Sequence, residues 1–179
     1  GDWFNPPSCK SGGKETCNST IPPPAASGGP QPTAGVNPQP LGADNTTWLS
    51  LQSQLKENVA RNRECTEAIN YGTCLGGLKP DSIQGIMELQ AACNCKLTIN
   101  GGSEKYGPGG THAGDINTKG SHPGGDKVDF APTPDLRNYI LNNATPAGER
   151  KNGDKLYKQG NIIYADEGTH WDVCYANCK

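Results

Sequence analysis

Eight cysteines are the feature that most constrains how this chain of 179 residues can fold. They stand at positions 9, 17, 65, 74, 93, 95, 174 and 178, an even set beside a single methionine. A structural zinc–thiolate site is the alternative use for such thiols. The sequence has no Cys-x-x-Cys pair, however, and Cys93-Asn94-Cys95 alone does not make such a site. We therefore predict four disulfides and a secreted, extracellular protein.

The spacing of the cysteines does not fix their connectivity, because eight cysteines allow about 105 pairings. Two short separations suggest local bridges, Cys65 with Cys74 and Cys174 with Cys178. Asn-x-Ser/Thr triplets at Asn18, Asn45 and Asn143 are compatible with glycosylation of a secreted product.

The chain divides into three parts by composition. Residues 18–43 are dominated by Pro, Gly, Ala, Ser, Thr and Gln and cannot form a core, so we predict a linker there. This linker is either an unstructured tail or an extended strap packed on the domain. We predict a cysteine-clipped peptide for residues 1–17, and residues 44–179 are long enough for one small domain.

The order of periodic segments predicts an α+β fold for residues 44–179. Apolar residues at helical spacing predict helices over residues 44–61 and 81–92, and Thr133-Pro134 opens a third. The segment 106–125 is rich in glycine and is predicted to be a loop. Strands are predicted at residues 96–100, 127–130, 161–164 and 170–174, the last two as a hairpin.

Charge and hydropathy exclude two classes of partner. The net charge is -2 and the isoelectric point is about 5.9, so there is no basic surplus to neutralise nucleic-acid phosphates. No apolar run approaches the roughly 20 residues of a membrane span. We expect a monomer without a nucleic-acid partner or a membrane span.

Two segments group histidines with acids in a pattern typical of catalytic zinc sites. His122 precedes Asp129 by seven residues, and the alternation of the predicted strand turns Asp129 away from its apolar neighbours. A carboxylate between apolar residues is costly to bury unless it is paired or bound to a cation. Further on, Glu167 precedes His170 by three residues. Each residue alone has an ordinary explanation, as a loop histidine or a salt-bridged acid, but the two spacings together favour a metal site with one open position.

The His-x6-Asp pair followed by Glu-x-x-His resembles the LAS metallopeptidases, which include the D-Ala-D-Ala carboxypeptidases and dipeptidases and the Hedgehog amino-terminal domain. The resemblance covers about residues 78–173 and includes, in family order, Leu97-Thr-Ile-Asn-Gly-Gly102, Ser121-His122, Gly125, Val128-Asp129 and Glu167-Gly-Thr-His-Trp171. It implies a small antiparallel sheet flanked by helices, one zinc ion (Zn2+), and hydrolysis of peptide bonds in peptidoglycan stem or cross-bridge peptides. His122, Asp129 and His170 take the ligand positions, and Glu167 takes the position of the catalytic base.

The chain departs from the family pattern at three places. Gly120 stands where many members have a serine before the first ligand, and Gly168 stands where many have a further histidine. Many members also have an arginine just after the first strand, where this chain has Gly102-Ser-Glu-Lys105. His112 and Lys105 are the nearest substitute cations. His112 either contacts the substrate or transition state or is a plain loop residue.

These patterns predict a secreted zinc-dependent peptidase acting on bacterial cell-wall peptides. In this hypothesis Glu167 is the general base, and His112 acts on the substrate or transition state. A non-catalytic zinc-containing binding or signalling module on the same scaffold is the alternative, and a metal-free disulfide-rich structural domain is the third possibility.

Overall fold

A computed structural model describes residues 44–54, 59–66 and 70–179, without the side chains of residues 45 and 46. Cys9, Cys17 and Asn18 lie outside the described residues, as does the predicted linker. The proposed boundaries at residues 17 and 43 therefore stay predictions. Asn143 is exposed at the end of a helix.

The described ranges form an α+β fold with three helices, as predicted. They are α1 (Asp44–Gln54), α2 (Pro80–Cys93) and α3 (Pro134–Asn143). Helix α3 begins as expected, because Thr133 accepts a hydrogen bond from the backbone N–H of Leu136 and Pro134 occupies the first turn. Helix α2 begins at Pro80, one residue earlier than predicted, and Lys79 is its N-cap.

The prediction of a single helix over residues 44–61 is wrong. Residues Val59–Arg61 form a strand, β1, which pairs in parallel with residues 97–99. Val59 is β-branched and is buried in the core, where an extended backbone lets it pack against the sheet. Asp44, at the start of the first helix, makes long-range contacts through its side chain. Its carboxylate pairs with Arg61 at 2.8 Å and accepts the N–H of Leu75 at 2.6 Å.

Seven strands form the main sheet, in the order β1-β4-β7-β11-β10-β9-β8. Its neighbours are antiparallel except for β1 and β4, so the sheet is mixed rather than wholly antiparallel. After β1, its members are β4 (Leu97–Gly101), β7 (Lys127–Phe130), β8 (Thr145–Glu149), β9 (Lys155–Gln159), β10 (Ile162–Asp166) and β11 (Trp171–Cys174).

A smaller four-stranded sheet lies partly within the segment predicted to be only loop. It contains β2 (Cys65–Thr66), β3 (Tyr71–Gly72), β5 (Tyr106–Gly107) and β6 (Gly110–Thr111). Strands β5 and β6 form an antiparallel hairpin. The backbone of His112 extends this hairpin, because its N–H donates to the carbonyl oxygen of Lys105 at 2.8 Å. The loop prediction for residues 106–125 is therefore wrong at residues 106–107 and 110–111. These two-residue strands are too short to give a periodic signal.

One apolar core lies between the helices and one face of the main sheet. Val128, Phe130, Trp171 and Val173 are fully buried in it. The expected alternation therefore holds, since the intervening acids of β7 and β11 point to the opposite face. From the helical side, Leu51, Ile86, Leu89, Leu136 and Ile140 complete this core.

Three disulfides are formed among the described cysteines: Cys65–Cys74, Cys93–Cys95 and Cys174–Cys178. The first and third are the local pairs suggested by the spacing. The second joins Cys93 to Cys95, the two cysteines considered above as part of a possible zinc–thiolate site. In the described ranges, no helix combines the length and apolarity required to cross a bilayer.

Gly85 tests how tightly α2 packs on the core. A Cβ at this buried position would lie 2.2 Å from the Tyr175 ring, so Gly85→Ala must displace that ring. Alanine favours a helix by ~1 kcal/mol over glycine, but overpacking costs roughly 1–3 kcal/mol. We expect a net loss in the free energy of unfolding, measured by urea denaturation.

Gly109→Ala is the matched control, because Gly109 is exposed and a Cβ there meets nothing within 4 Å. Equal stability of the two variants would contradict the close packing of α2 against Tyr175.

Candidate metal centre

The candidate site lies on the face of the main sheet opposite the core. Asp129 on β7 and Asp172 on β11 are direct cross-strand partners there, and each is only 5% exposed. Two like charges in this register are destabilising unless positive charge lies between or beside them. Around them is a cavity of about 570 Å³, whose lining includes His112, His122, Arg150, Glu167 and His170.

Gly101 makes room for the carboxylate of Asp129. It is the cross-strand partner of Asp129 on β4, at a register shift that follows Ile99. A Cβ at this glycine would lie 2.7 Å from Asp129 Oδ2 and 3.0 Å from Glu104 Oε1. The bulge and the missing side chain together let two buried carboxyl groups approach this part of the sheet.

The loop before β7 folds back and places His122 beside Asp129. The N–H of Gly125 donates to the carbonyl oxygen of His122 at 2.9 Å, and the N–H of Asp126 donates to that of Ser121 at 3.1 Å. Gly125 has a φ of +80°, and a Cβ there would lie 2.2 Å from the carbonyl oxygen of Gly77. The turn therefore requires glycine at position 125.

All three histidines direct their Nε2 atoms towards Asp129. The Nε2 of His122 lies 3.1 Å from Asp129 Oδ1, while those of His170 and His112 lie 3.7 Å and 3.8 Å from Oδ2. The rings of His112 and His122 are stacked with their centroids 4.0 Å apart. His112 is thus part of the site and not a remote loop residue.

The Nδ1 atom of each imidazole already has a partner on the protein. His122 Nδ1 lies 2.8 Å from the carbonyl oxygen of Gly102, and His112 Nδ1 lies 3.0 Å from that of Glu104. A carbonyl oxygen only accepts, so both Nδ1 atoms carry the proton. His170 Nδ1 contacts Thr169 Oγ1 at 2.9 Å. This orientation, with Nδ1 fixed and Nε2 turned inward, is typical of metal-binding histidines.

Two groups of potential metal ligands share Asp129. His112, His122 and Asp129 form one group, and Asp129, Glu167 and His170 form the other, with the ligand atoms of each group within 4.8 Å of one another. The set expected from the sequence, His122, Asp129 and His170, meets at this shared carboxylate, but the two histidines face different oxygens of it. Neither of these two groups unites all three.

Glu167 lies beside the nitrogen that His170 would offer to a metal. Its Oε2 contacts His170 Nε2, and its Oε1 accepts from Arg150 Nη1 at 3.1 Å. Arg150 also donates through Nη2 to Asp172 Oδ2 at 2.7 Å, and Lys127 Nζ donates to the same oxygen at 3.0 Å. Arg150 therefore ties the expected base to the buried acid pair.

The electrostatics of the chain favour positive charge between the two aspartates. Burial lowers the pKa of His122, but the adjacent carboxylates of Asp129 and Asp172 outweigh it and raise that pKa well above its usual value. Burial raises the pKa of Asp172, yet His122, Lys127 and Arg150 hold it well below its usual range. A site that attracts a proton this strongly also attracts a divalent cation.

The pKa values of the other two histidines are shifted in opposite directions. Contact with Glu167 raises the pKa of His170. Burial, followed by the charge of His122, lowers the pKa of His112 to about 4, so its ring is neutral at neutral pH. Lys105 was the other substitute cation suggested by the sequence, and its Nζ donates to the carbonyl oxygen of Gly114. The cation that contacts Glu167 is instead Arg150.

Buried oxygens without partners are consistent with a cation at this site. In the described part of the chain, Asp129 Oδ1 and Asp172 Oδ1 have no hydrogen-bond partner, although both are buried. His122 Nε2 lies 3.1 Å and 3.4 Å from them, without hydrogen-bonding geometry. The residues present therefore fit a metal ion on grounds of donor type, orientation and unsatisfied charge.

Sequence reasoning gave no role to Asp172, Arg150, Lys127 or Glu104. Asp172 could have been found from the sequence, because strand alternation places it on the same face as His170. Arg150 follows β8 and reaches the site only through the β8–β9 hairpin. No local pattern marks such a residue.

No protein-family model, curated protein or solved structure matches this chain. The function is therefore inferred from the chemistry of the site and from the motif resemblance alone.

Glu104 provides a test of the buried electrostatics. Burial raises the pKa of its carboxyl group to about 7 from 4.5. Between these values the folded chain binds more protons than the unfolded chain, so this group makes stability fall as pH rises from 4.5 to 7. Glu104→Gln removes that dependence and leaves an amide oxygen able to accept the N–H groups of Cys74 and Gly102 that Oε2 accepts.

The Glu104→Gln variant should therefore gain stability relative to the native chain as the pH rises from 4.5 to 7. We expect the difference between their free energies of unfolding to grow by on the order of 3 kcal/mol across this pH range. Urea titrations in a chelating buffer at several pH values measure the difference. A difference that does not change with pH would contradict the raised pKa.

Proposed function

We propose that this chain is a secreted zinc-dependent peptidase that hydrolyses peptide bonds in bacterial cell-wall peptides. One zinc ion is held by His122, Asp129 and His170, and Glu167 is the general base. The observation that supports this most directly is the convergence of the imidazole Nε2 atoms and Glu167 around the buried Asp129 carboxylate, at the wall of an open cavity.

The donor set favours zinc among the common metals. Imidazole nitrogens with one carboxylate oxygen suit zinc, whereas calcium and magnesium prefer all-oxygen sites. Three protein ligands leave one coordination position open, which is the arrangement of catalytic rather than structural zinc. Secretion is supported by three disulfides in a chain with a small core.

Glu167 is well placed to act as the base. Arg150 holds one of its oxygens, and the other lies against His170 Nε2, so the carboxylate borders the position of the metal. When bound, zinc would supply a Lewis acid that polarises the substrate carbonyl and lowers the pKa of water. Glu167 would take a proton from the attacking water and return it to the leaving amine.

Arg150 and His112 would contribute without exchanging protons. Arg150 keeps Glu167 oriented through its ion pair. His112, neutral with its proton on Nδ1 and stacked on His122, can accept a hydrogen bond at Nε2 once a substrate enters the cavity. We therefore assign His112 a role in contacting the substrate or transition state.

The substrate class rests on the resemblance of the motifs to the LAS metallopeptidases. The order His122, Asp129, Glu167, His170 follows that family. Asp129 lies on β7 and His170 next to β11 of a largely antiparallel sheet, and His122 lies in the loop before β7. A cavity of about 570 Å³ is large enough for several residues of a peptide. Peptidoglycan stem and cross-bridge peptides are the substrates that this resemblance implies.

A non-catalytic zinc-containing module is the second candidate, and one observation favours it. Glu167, Asp129 and His170 together form a group that could itself hold a metal. If Glu167 binds the metal in addition to His122, Asp129 and His170, the site loses both its base and its open position. The metal content of a Glu167 variant separates the two candidates.

Glu167→Gln should keep about one zinc per chain and lose hydrolysis by about 10²–10⁴-fold, because an amide cannot accept the proton. Elemental analysis gives the zinc content, and a peptidoglycan digest scored for newly freed amino groups gives the activity. Glu149→Gln is the matched control, since Glu149 is exposed on β8. Loss of zinc from Glu167→Gln would favour the closed site, and full activity would exclude the mechanism.

His122→Ala should abolish stoichiometric zinc binding, because it removes a buried donor that faces both aspartates. Removal of a metal-binding side chain costs more affinity than the 10–100-fold typical of outer-shell partners. Competition with a chromophoric chelator measures the affinity. An unchanged zinc affinity would remove His122 from the ligand set.

A further inference from the structure

A second cavity of about 290 Å³ adjoins the candidate metal centre. We call it the basic pocket and define it by four cationic side chains, Lys119, Lys127, Arg150 and Lys179, with Leu156 and Ile163 in the same lining. Gly120, Lys127 and Arg150 line both cavities, so the two cavities are neighbours that share these three residues.

We propose that the basic pocket binds a free carboxylate of the peptide substrate, carried on an aliphatic stem next to the scissile bond. This inference rests on the proposed peptidase function, and it adds the substrate feature that the site would select. A carboxylate is the common anionic group of peptides, and the pocket combines cations with apolar lining.

The charge of the pocket is only partly balanced by the protein. Lys127 and Arg150 share Asp172 Oδ2, so two cations there meet one carboxylate, and Arg150 also pairs with Glu167. Lys119 and Lys179 form no ion pair with the carboxylates in the described ranges. Among the residues that the structure describes, no acidic side chain lines this pocket. An entering anion would therefore meet surplus positive charge.

The apolar part of the lining favours a carboxylate on a hydrocarbon stem over a bare inorganic anion. Leu156, Ile163 and the Cys174–Cys178 disulfide lie beside the cations. Aliphatic methylenes can cover these groups while the carboxylate contacts the lysines. Phosphate would gain only the electrostatic part of this contact.

The shared residues suggest how the pocket acts on the reaction. Arg150 donates a hydrogen bond to Glu167 at the metal centre and also lines the basic pocket. A substrate that spans both cavities would place its carboxylate near Lys119 and its scissile bond near Glu167. Selection would then appear in KM and not in kcat, because these lysines do not touch the reacting atoms.

Binding of glutarate, compared with its neutral analogue glutaramide, tests the pocket without catalysis. Isothermal titration calorimetry is carried out on the zinc-loaded native chain, on the double variant Lys119→Gln/Lys179→Gln, and on the control Lys96→Gln/Lys158→Gln. The control removes two exposed lysines that line neither cavity. Inorganic phosphate is the second anionic probe.

We expect glutarate to bind the native chain and the control equally and more tightly than glutaramide. The Lys119→Gln/Lys179→Gln variant should bind glutarate roughly 3- to 10-fold more weakly, as for the loss of two partly exposed charge contacts. The affinity of the native chain should fall with added salt. Equal glutarate affinity in the native chain and this variant would overturn the proposal, as would tighter binding of phosphate than of glutarate.

The same variants distinguish a failed pocket from a failed peptidase. If the native chain cleaves peptidoglycan peptides, Lys119→Gln/Lys179→Gln should raise KM for a substrate with a free carboxylate by a similar factor and leave kcat unchanged. If the native chain cleaves nothing, yet glutarate binding depends on these lysines, the peptidase fails and the carboxylate pocket stands. If the native chain cleaves the peptides but binds glutarate independently of these lysines, the peptidase stands and the carboxylate pocket fails.

Discussion

The site depends on two carboxylates held opposite each other in the middle of a sheet. Asp129 and Asp172 are paired across β7 and β11, both are buried, and in the described residues the buried Oδ1 atom of each has no hydrogen-bond partner. Their repulsion in a low-dielectric environment would oppose folding if no cation lay close by. His122, Lys127 and Arg150 supply part of that positive charge. A divalent cation between the imidazoles and Asp129 would supply the rest, so the fold and the metal would stabilise each other.

The remainder of the fold holds these charges in place. Apolar residues of β7 and β11 anchor the strands in the core, and strand alternation then directs the acids to the other face. Gly101 opens space for Asp129, and the carbonyl oxygens of Gly102 and Glu104 fix the rings of His122 and His112. The Cys65–Cys74 disulfide lies beside Glu104, because the N–H of Cys74 donates to the Glu104 carboxylate. This disulfide therefore holds backbone that contacts the site, and such crosslinks help to stabilise a domain whose core is small.

Much of this site could be predicted from the sequence because its signals are local. Val128 and Phe130 flank Asp129, so period-two alternation alone assigned its face, and the spacing from Glu167 to His170 put two functional groups at one strand end. Features set by distant pairing could not be predicted in this way. The register that places Asp172 opposite Asp129 depends on how β7 meets β11, and Arg150 arrives on a hairpin whose strand β8 is exposed throughout and contains Pro146 and Gly148. The first helix was predicted too long for the same reason, since Val59 joins the sheet through a parallel pairing with Leu97.

Anomalous X-ray diffraction at the zinc absorption edge, from crystals of the zinc-loaded chain, tests the proposed metal centre most directly. We expect one peak bonded to His122 Nε2, His170 Nε2 and an oxygen of Asp129, at about 2.0–2.2 Å from each, with Glu167 nearby but not coordinated. A peak bonded to Glu167 in place of one of these ligands, or no peak beside Asp129, would contradict it.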